Sequence, residues 1–395
     1  MLAYEQAAES GTAVRATDHA GDDDVWLIYT GGTTGMPKGV IWAQHDIYLA
    51  SNTAGDPEQA DLDAVRNRIG QADHFPVGLP AAPLMHGTGF VFATTILGRG
   101  GTVVTLDDAS FDAGRLLDAI DAHRVSDLCI VGDAFARPIV DALDASPGHW
   151  RLASLRTVSS SGMVWSSAVK ERLLAHRPEL LLVDFLNSSE ASGMGRSISS
   201  SRQRGGAAFR LGHGALIIDD DGRPLPADSG EIGRLAVRGR VPLGYYKDPQ
   251  KSARTFPVID GVRHAIPGDY ARRLPDGRIE LLGRGSTCIN TGGEKVFPEE
   301  VEAVIKACAG VRDALVVGLP DSRFGEVIAA LVEQAPGTEL SGEAVTAHVR
   351  ERLARHKAPR HVLVVGDALR TVTGKADYPA VRARLQAWLA GQSVS

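Results

Sequence analysis

The chain is 395 residues long, 44% hydrophobic and 23% charged, with a formal net charge of −6. That length exceeds one ordinary domain and the apolar share can fill sizeable cores, so about two or three globular domains are expected. The mildly acidic balance, without a lysine or arginine block, excludes electrostatic binding of nucleic acid, and no run of about 18 apolar residues offers a membrane span, which leaves only peripheral contact with a bilayer open.

The start, Met1 to Gly11, carries glutamates and does not read as a signal peptide. Val25 to Tyr29 is an apolar run that reads as a strand, and it delivers the densest chemistry in the chain, Tyr29 to Val40, YTGGTTGMPKGV. Glycines let backbone N–H groups close on an anion, threonine hydroxyls bond phosphate oxygens or magnesium, and Lys38 adds a mobile positive charge. The segment therefore predicts a loop for a nucleoside triphosphate. It is not a Walker loop, because Gly31 and Gly35 are too close together and Lys38 follows a proline.

Further along, Asp112 is placed to cap a helix whose Leu116, Leu117 and Ile120 share a face. Strands are then predicted at Leu128 to Val131, Leu155 to Val158 and Leu181 to Phe185, with helices at Ala134 to Leu143 and Ser166 to Ala175 between them. This alternation predicts an α/β fold with a mainly parallel, helix-covered sheet, whose ligands collect at the carboxyl ends of the strands. Leu186 to Gly193, LNSSEASG, follows the last of these strands, so Ser188, Ser189 and Glu190 are expected at that edge. A carboxylate beside a phosphate loop suggests magnesium.

From Ala215 to Leu282 short apolar runs are broken by Gly, Pro and Asp-Gly pairs, which predicts a small antiparallel β-subdomain at about residues 211–284. Beyond Arg284 a fresh α/β pattern begins. Pro298 opens a helix, strands follow at Ala314 to Gly318 and Val327 to Val332, then a helix from Glu343 to Arg355 and a strand from Val362 to Val365. The expected division is a large domain over 1–284 and a small one over 285–395. Cys129, Cys288 and Cys308 are scattered without CxxC spacing, which argues against a disulfide framework or zinc site and for free, buried thiols in a reducing cytoplasm.

The Tyr29 to Val40 segment closely resembles the signature of the adenylate-forming superfamily, the acyl-CoA synthetases, luciferases and peptide-synthetase adenylation domains. The likeness runs from Trp26 to Tyr378 and passes through Gly268-Asp269-Tyr270, Gly283-Arg284, CINTGGEKVFPEEV at Cys288 to Val301, and TGKADY at Thr373 to Tyr378. The wording of the last two looks like actinobacterial fatty-acyl and steroid-side-chain acyl-CoA ligases. The resemblance implies a mobile α+β C-terminal domain and an ATP-dependent acyl-CoA synthetase that uses ATP, Mg²⁺ and coenzyme A on a small carboxylic acid. An acyl-AMP ligase serving a carrier protein, or a non-catalytic nucleotide-binding remnant, stays open beside it, as does a homo-oligomer.

By the same resemblance Thr30, Gly31, Gly32, Thr33, Thr34, Gly35 and Lys38 hold the phosphates, Glu190 and Thr33 the metal, and Ser188 and Ser189 flank them. Gly162, in the small-residue turn Ser159 to Met163, touches adenine; His86, in PLMHGTGF at Pro83 to Phe90, lies near the acyl carboxylate; Asp269 and Arg284 grip the ribose hydroxyls. Gly292, Gly293 and Lys295 line the pantetheine path, and Lys375 reaches into adenylate formation. Two departures stand out. The aromatic residue that relatives stack on adenine is replaced at Leu186-Asn187, and Ser286 stands where relatives carry a hinge aspartate. Relatives also place much of the first domain before the phosphate loop, whereas about 28 residues precede it here, so an incomplete first domain is expected.

Overall fold

A computed structural model of the chain describes residues 21, 23–30, 38–52, 61–107, 110–163, 165–203, 208–285, 287–291, 294–367, 369–370 and 376–392, with only the backbone for Thr30, Arg284, Lys295 and Gln392. It opens on an antiparallel hairpin, β1 (Val25–Thr30) and β2 (Lys38–Ala43), followed by helices α1 (Gln44–Asn52) and α2 (Leu62–Gly70). Strands and helices then alternate through β3 (Val77–Pro80), α3 (Gly87–Gly98), β4 (Thr102–Val103), α4 (Ala113–Ala122), β5 (Asp127–Ile130), α5 (Gly132–Ala145), β6 (Thr157–Ser161), α6 (Ser167–His176) and β7 (Leu181–Ser188). Strands β4, β3, β5, β6 and β7 lie side by side in that order, all parallel.

The local chemistry accounts for these elements. Asp112 caps α4 by accepting from Arg115 N at 3.0 Å, and Leu116, Leu117 and Ile120 turn inward to a core shared with Leu128, Val158 and Leu182 of the strands. Strand β6 starts at Thr157, two residues beyond the expected Leu155, because Leu155 is buried in the preceding turn rather than paired. Strand β7 runs on to Ser188, three residues past the expected end, since β8 (Ala191–Ser199) folds back against it.

From β7 the same sheet continues in antiparallel fashion. Its further members are β8, β9 (Ala208–Leu211), β10 (Ala215–Ile218), β11 (Ile232–Arg238), β13 (Val258–Ile259), β14 (Val262–Ala265), β15 (Asp269–Arg273) and β16 (Ile279–Arg284). The expected β-subdomain is thus an extension of the parallel sheet, joined to it through β8 and β9. Within it the chain makes β12 (Gly244–Tyr245), which pairs with β2, and helix α7 (Pro249–Thr255), capped by Asp248 with a proline in its first turn.

The second domain has its own sheet: β17 (Ile289–Thr291), β18 (Glu294–Val296), β19 (Val311–Asp321), β20 (Gly325–Gln334) and β21 (His361–Val365), with helices α8 (Pro298–Lys306), α9 (Gly342–Arg350) and α10 (Tyr378–Gln392). Separate apolar cores fill its two faces, one around Val316, Ala330 and Val345, the other around Leu315, Leu331 and Leu385 of α10. A cleft of about 3290 Å³ opens between the sheet edge of the first domain and α8 of the second. Among the described residues no helix is long and apolar enough to cross a membrane.

Candidate active site

Thr30 and Lys38 pair across the mouth of the β1–β2 hairpin, so residues 31–37 connect two antiparallel strands rather than a strand and a helix. Gly31, Gly32, Thr33, Thr34 and Gly35 lie outside the described residues, as does the side chain of Thr30. The hairpin is anchored by Trp26, whose ring packs 4.9 Å from that of Phe90. Lys38 is held from the other flank: its ammonium stands 3.2 Å from Asp248 Oδ2 and 5.8 Å from the centre of the Tyr245 ring.

Asp248 also caps α7, accepting from Lys251 N at 3.0 Å. That backbone bond, followed by the Lys38 ammonium, holds its carboxyl below the usual aspartate range. Lys251 lies 4.6 Å from the Tyr245 ring, and its ammonium is pushed down from the ordinary lysine value, first by burial and then by the neighbouring Lys38.

Glu190 sits in the tight turn between β7 and β8, where the carboxyl edge of the parallel strands ends. Two aromatic residues pin this turn. Trp42 donates from Nε1 to the Ser189 carbonyl at 2.9 Å, and Tyr245 donates its hydroxyl hydrogen to Glu190 Oε1 at 2.8 Å. Asn187 Oδ1 accepts from Gly193 N at 2.8 Å and closes the turn from behind. The hydroxyl oxygen of Ser188 is buried and has no hydrogen-bond partner among the described residues, although it lines the cleft. An orphaned hydroxyl next to a carboxylate suits the oxygen-rich surroundings of a nucleotide-borne magnesium, which keeps its waters and takes one or two protein carboxylates. No cluster of three or more His, Cys, Asp or Glu that could cage an ion occurs among the described residues.

Gly162 follows β6 with φ +91, a conformation that side chains rarely adopt, and a Cβ there would come within 3.7 Å of Thr88 Oγ1 and 4.0 Å of His86 Cε1. The two segments expected at adenine and at the acyl carboxylate are therefore neighbours. His86 caps α3, its Nδ1 accepting from Thr88 N at 3.3 Å, so the ring proton is assigned to Nε2. This cap is a structural task that the sequence reading did not foresee for His86.

Asp269 begins β15 and pairs in register with Arg284 at the end of β16. Its side chain is buried, whereas that of Arg284 lies outside the described part. One residue earlier, Gly283 has φ +127, and a Cβ there would meet Glu299 Oε2 of α8 at 2.1 Å. The first turn of α8 thus presses on the strand that carries Arg284. Beside it, the Tyr270 and Phe297 rings lie 5.5 Å apart. Lys295 pairs with Asn290 between β17 and β18; Gly292 and Gly293, which connect these strands in sequence, lie outside the described residues, as do Ser286 and Lys375.

The sequence reading missed Trp42, Tyr245 and Asp248. The signal for the last two was present in Gly244 to Pro249, GYYKDP, where aromatic, cationic and helix-capping residues precede an N1 proline. Cys129 is buried as expected, while Cys288 and Cys308 are half-buried; all three are free thiols.

Residues 2–246 match the AMP-binding enzyme family, and residues 300–375 match the AMP-binding enzyme C-terminal domain. The chain is 40% identical over 385 residues to a medium/long-chain-fatty-acid–CoA/3-oxocholest-4-en-26-oate–CoA ligase of Mycolicibacterium smegmatis, covering 95% of this chain and 69% of that protein. To a 3-oxocholest-4-en-26-oate–CoA ligase of Rhodococcus rhodochrous it is 36% identical over 394 residues, with 95% and 69% covered. Its fold is similar to that of ATP-bound MatB from Rhodopseudomonas palustris, with a TM-score of 0.76 at 25% identity over 96% of this chain and 72% of the other. The chain belongs to the AMP-binding enzymes, with the fold of the adenylate-forming superfamily.

Proposed function

We propose, for this AMP-binding enzyme, that it activates a fatty-acyl or steroid-derived carboxylate with ATP and transfers the acyl group to coenzyme A. The observation that carries this reading is the convergence of Glu190, Ser188, Gly162, His86 and Asp269 on one cleft, in a chain 40% identical to a fatty-acyl and steroid-acid CoA ligase.

In the first half-reaction a carboxylate oxygen attacks the α-phosphorus of ATP, the bond to pyrophosphate breaks, and an acyl-adenylate forms. Lys38 and the 31–35 segment hold the departing phosphates, Asp269 and Arg284 fix the ribose, and Gly162 leaves room for the adenine. Glu190 and Thr33 would hold a magnesium ion, which would supply neutralising charge for the phosphate oxygens. Lys375 stabilises the charge that gathers on the α-phosphate. In the second half-reaction the CoA thiol gives its proton to solvent, its sulfur attacks the acyl carbon, and the bond from that carbon to the AMP phosphate oxygen breaks, releasing AMP. Gly292, Gly293 and Lys295 flank the pantetheine arm on this reading. The division at about residue 285 serves as the hinge, because Lys375 and the Gly292-Gly293 segment act in different half-reactions.

The test is pyrophosphate release from ATP with octanoate, palmitate and a steroid-side-chain carboxylate, with and without CoA. A small burst without CoA and sustained turnover with it support a CoA ligase. Sustained turnover only with a carrier protein, or none with any acid, overturns it.

A further inference from the structure

Tyr245 occupies a position that the proposed mechanism leaves unused. It is 5% exposed, and its ring packs 5.2 Å from Phe256 in the core beneath β2. Its backbone is fixed twice: β12 pairs with β2, and Tyr245 N donates to Ser252 Oγ at 2.8 Å. A side chain so constrained has essentially one place for its hydroxyl, and there it donates to Glu190 Oε1. Lys38 and Lys251 stand 5.8 Å and 4.6 Å from the ring centre. Cations against the ring face help to hold the ring where it lies.

Glu190 itself is carried by a two-residue turn, and the Trp42 bond to Ser189 fixes only the backbone of that turn. Without a partner the carboxylate could rotate among several rotamers. We propose that Tyr245 is the positioning residue of the metal-binding carboxylate: its hydroxyl occupies Oε1, selects one rotamer of Glu190, and leaves Oε2 as the oxygen that would meet the cation arriving with the nucleotide. Tyr245 acts through Glu190 and touches neither phosphate nor metal. The inference rests on the reading of Glu190 as the metal ligand.

The test uses the full 395-residue chain and Mn²⁺ as the probe, its binding followed by electron paramagnetic resonance in the presence of α,β-methylene-ATP. Tyr245→Phe keeps the ring and its packing and removes only the hydroxyl. It should weaken Mn²⁺ binding about tenfold, the lower end of what a hydrogen bond to a charged group contributes. Nucleotide binding in EDTA should stay unchanged. Phe256→Leu, which loosens the same core without touching Glu190, separates packing from positioning, because it should lower the melting temperature and leave Mn²⁺ affinity intact. Glu190→Gln separates the proposal from the reading beneath it. If Glu190→Gln weakens Mn²⁺ binding and Tyr245→Phe does not, or if Phe256→Leu weakens it as much as Tyr245→Phe, the positioning role is overturned. If Glu190→Gln leaves Mn²⁺ binding unchanged, Glu190 is not the metal ligand and both ideas fall.

Discussion

Tyr378 donates its hydroxyl hydrogen to Glu302 Oε1 at 3.1 Å, tying the start of α10 to α8 across 76 residues of sequence. The same oxygen accepts from Val316 N of β19 at 2.9 Å. Burial pushes the Glu302 carboxyl above the ordinary glutamate range, and the nearby Lys306 only partly opposes this. Next to it Asp313 is half-buried, and Arg370 and Lys306, at 2.5 Å and 3.0 Å, outweigh its partial desolvation and hold it below the aspartate range.

These opposite shifts give the second domain a pH signature. Glu302, with a raised folded value, contributes most when protonated, and that contribution fades as pH climbs past the unfolded value of about 4.3 through the folded one. Asp313, with a lowered folded value, contributes above about pH 3.9 and loses it as pH falls further. Stability should therefore be highest in mild acid and decline toward neutrality. Urea series from about pH 5 to about pH 7, read by hydrogen exchange at β19 and β20, should give falling midpoints. Glu302→Gln should flatten the slope; an unchanged slope would show that another group carries it.

Cys129 offers a second check on burial. It is 3% exposed, and burial pushes its thiol up to about 12 in spite of a hydrogen bond with Ser159. At about pH 8 it should hold almost no thiolate. Brief alkylation of the folded chain with iodoacetamide, followed by peptide mapping, should mark the half-buried Cys288 and Cys308 and spare Cys129 until urea is added. Equal labelling of all three under native conditions would contradict the packing of β5.

Removal of the Asp269 carboxylate should weaken nucleotide binding through the ribose. A hydrogen bond to a charged group contributes about 1.5–3 kcal/mol, so Asp269→Ala should raise the KM for ATP by roughly 10- to 100-fold. The specific measurement is a cycle with 2′,3′-dideoxy-ATP. The wild type should lose affinity for the dideoxy nucleotide, whereas Asp269→Ala should bind both nucleotides alike. A full additional loss in the variant would place Asp269 away from the ribose.

What could be read from the sequence followed from how local each signal is. Asp112, Pro298 and the Leu116-Leu117-Ile120 face mark their helices with neighbours only a turn away, and the structure places α4 and α8 there. Strand β8 escaped because ASGMGRSIS has few apolar residues to alternate; it is a strand because β7 and β9 flank it. Helix α10 escaped because alanines and arginines blur its apolar face, which only the second-domain sheet makes visible through Val381 and Leu385. The site divides in the same manner. Glu190 and Asp269 stand in short motifs, whereas the Tyr245–Glu190 bond spans 55 residues and the Lys38–Asp248 pair 210, distances at which periodicity carries no information.

Lys375 provides the most direct test of the chemistry. It lies immediately before Ala376, which bridges to Arg370, and Arg370 is held by Asp313, so the described residues on both flanks belong to the firmly packed second domain. On the proposed mechanism this lysine is needed only while charge moves onto the α-phosphate, and loss of such a stabiliser costs on the order of 100- to 1,000-fold in rate. Lys375→Ala should therefore lose ATP–pyrophosphate exchange to that extent and still convert a supplied acyl-adenylate to the CoA thioester at a rate close to the wild type. Because both measurements use one protein preparation, misfolding would depress them together. Exchange at the native rate would remove Lys375 from the first half-reaction, and equal loss of both steps would reduce it to a structural residue.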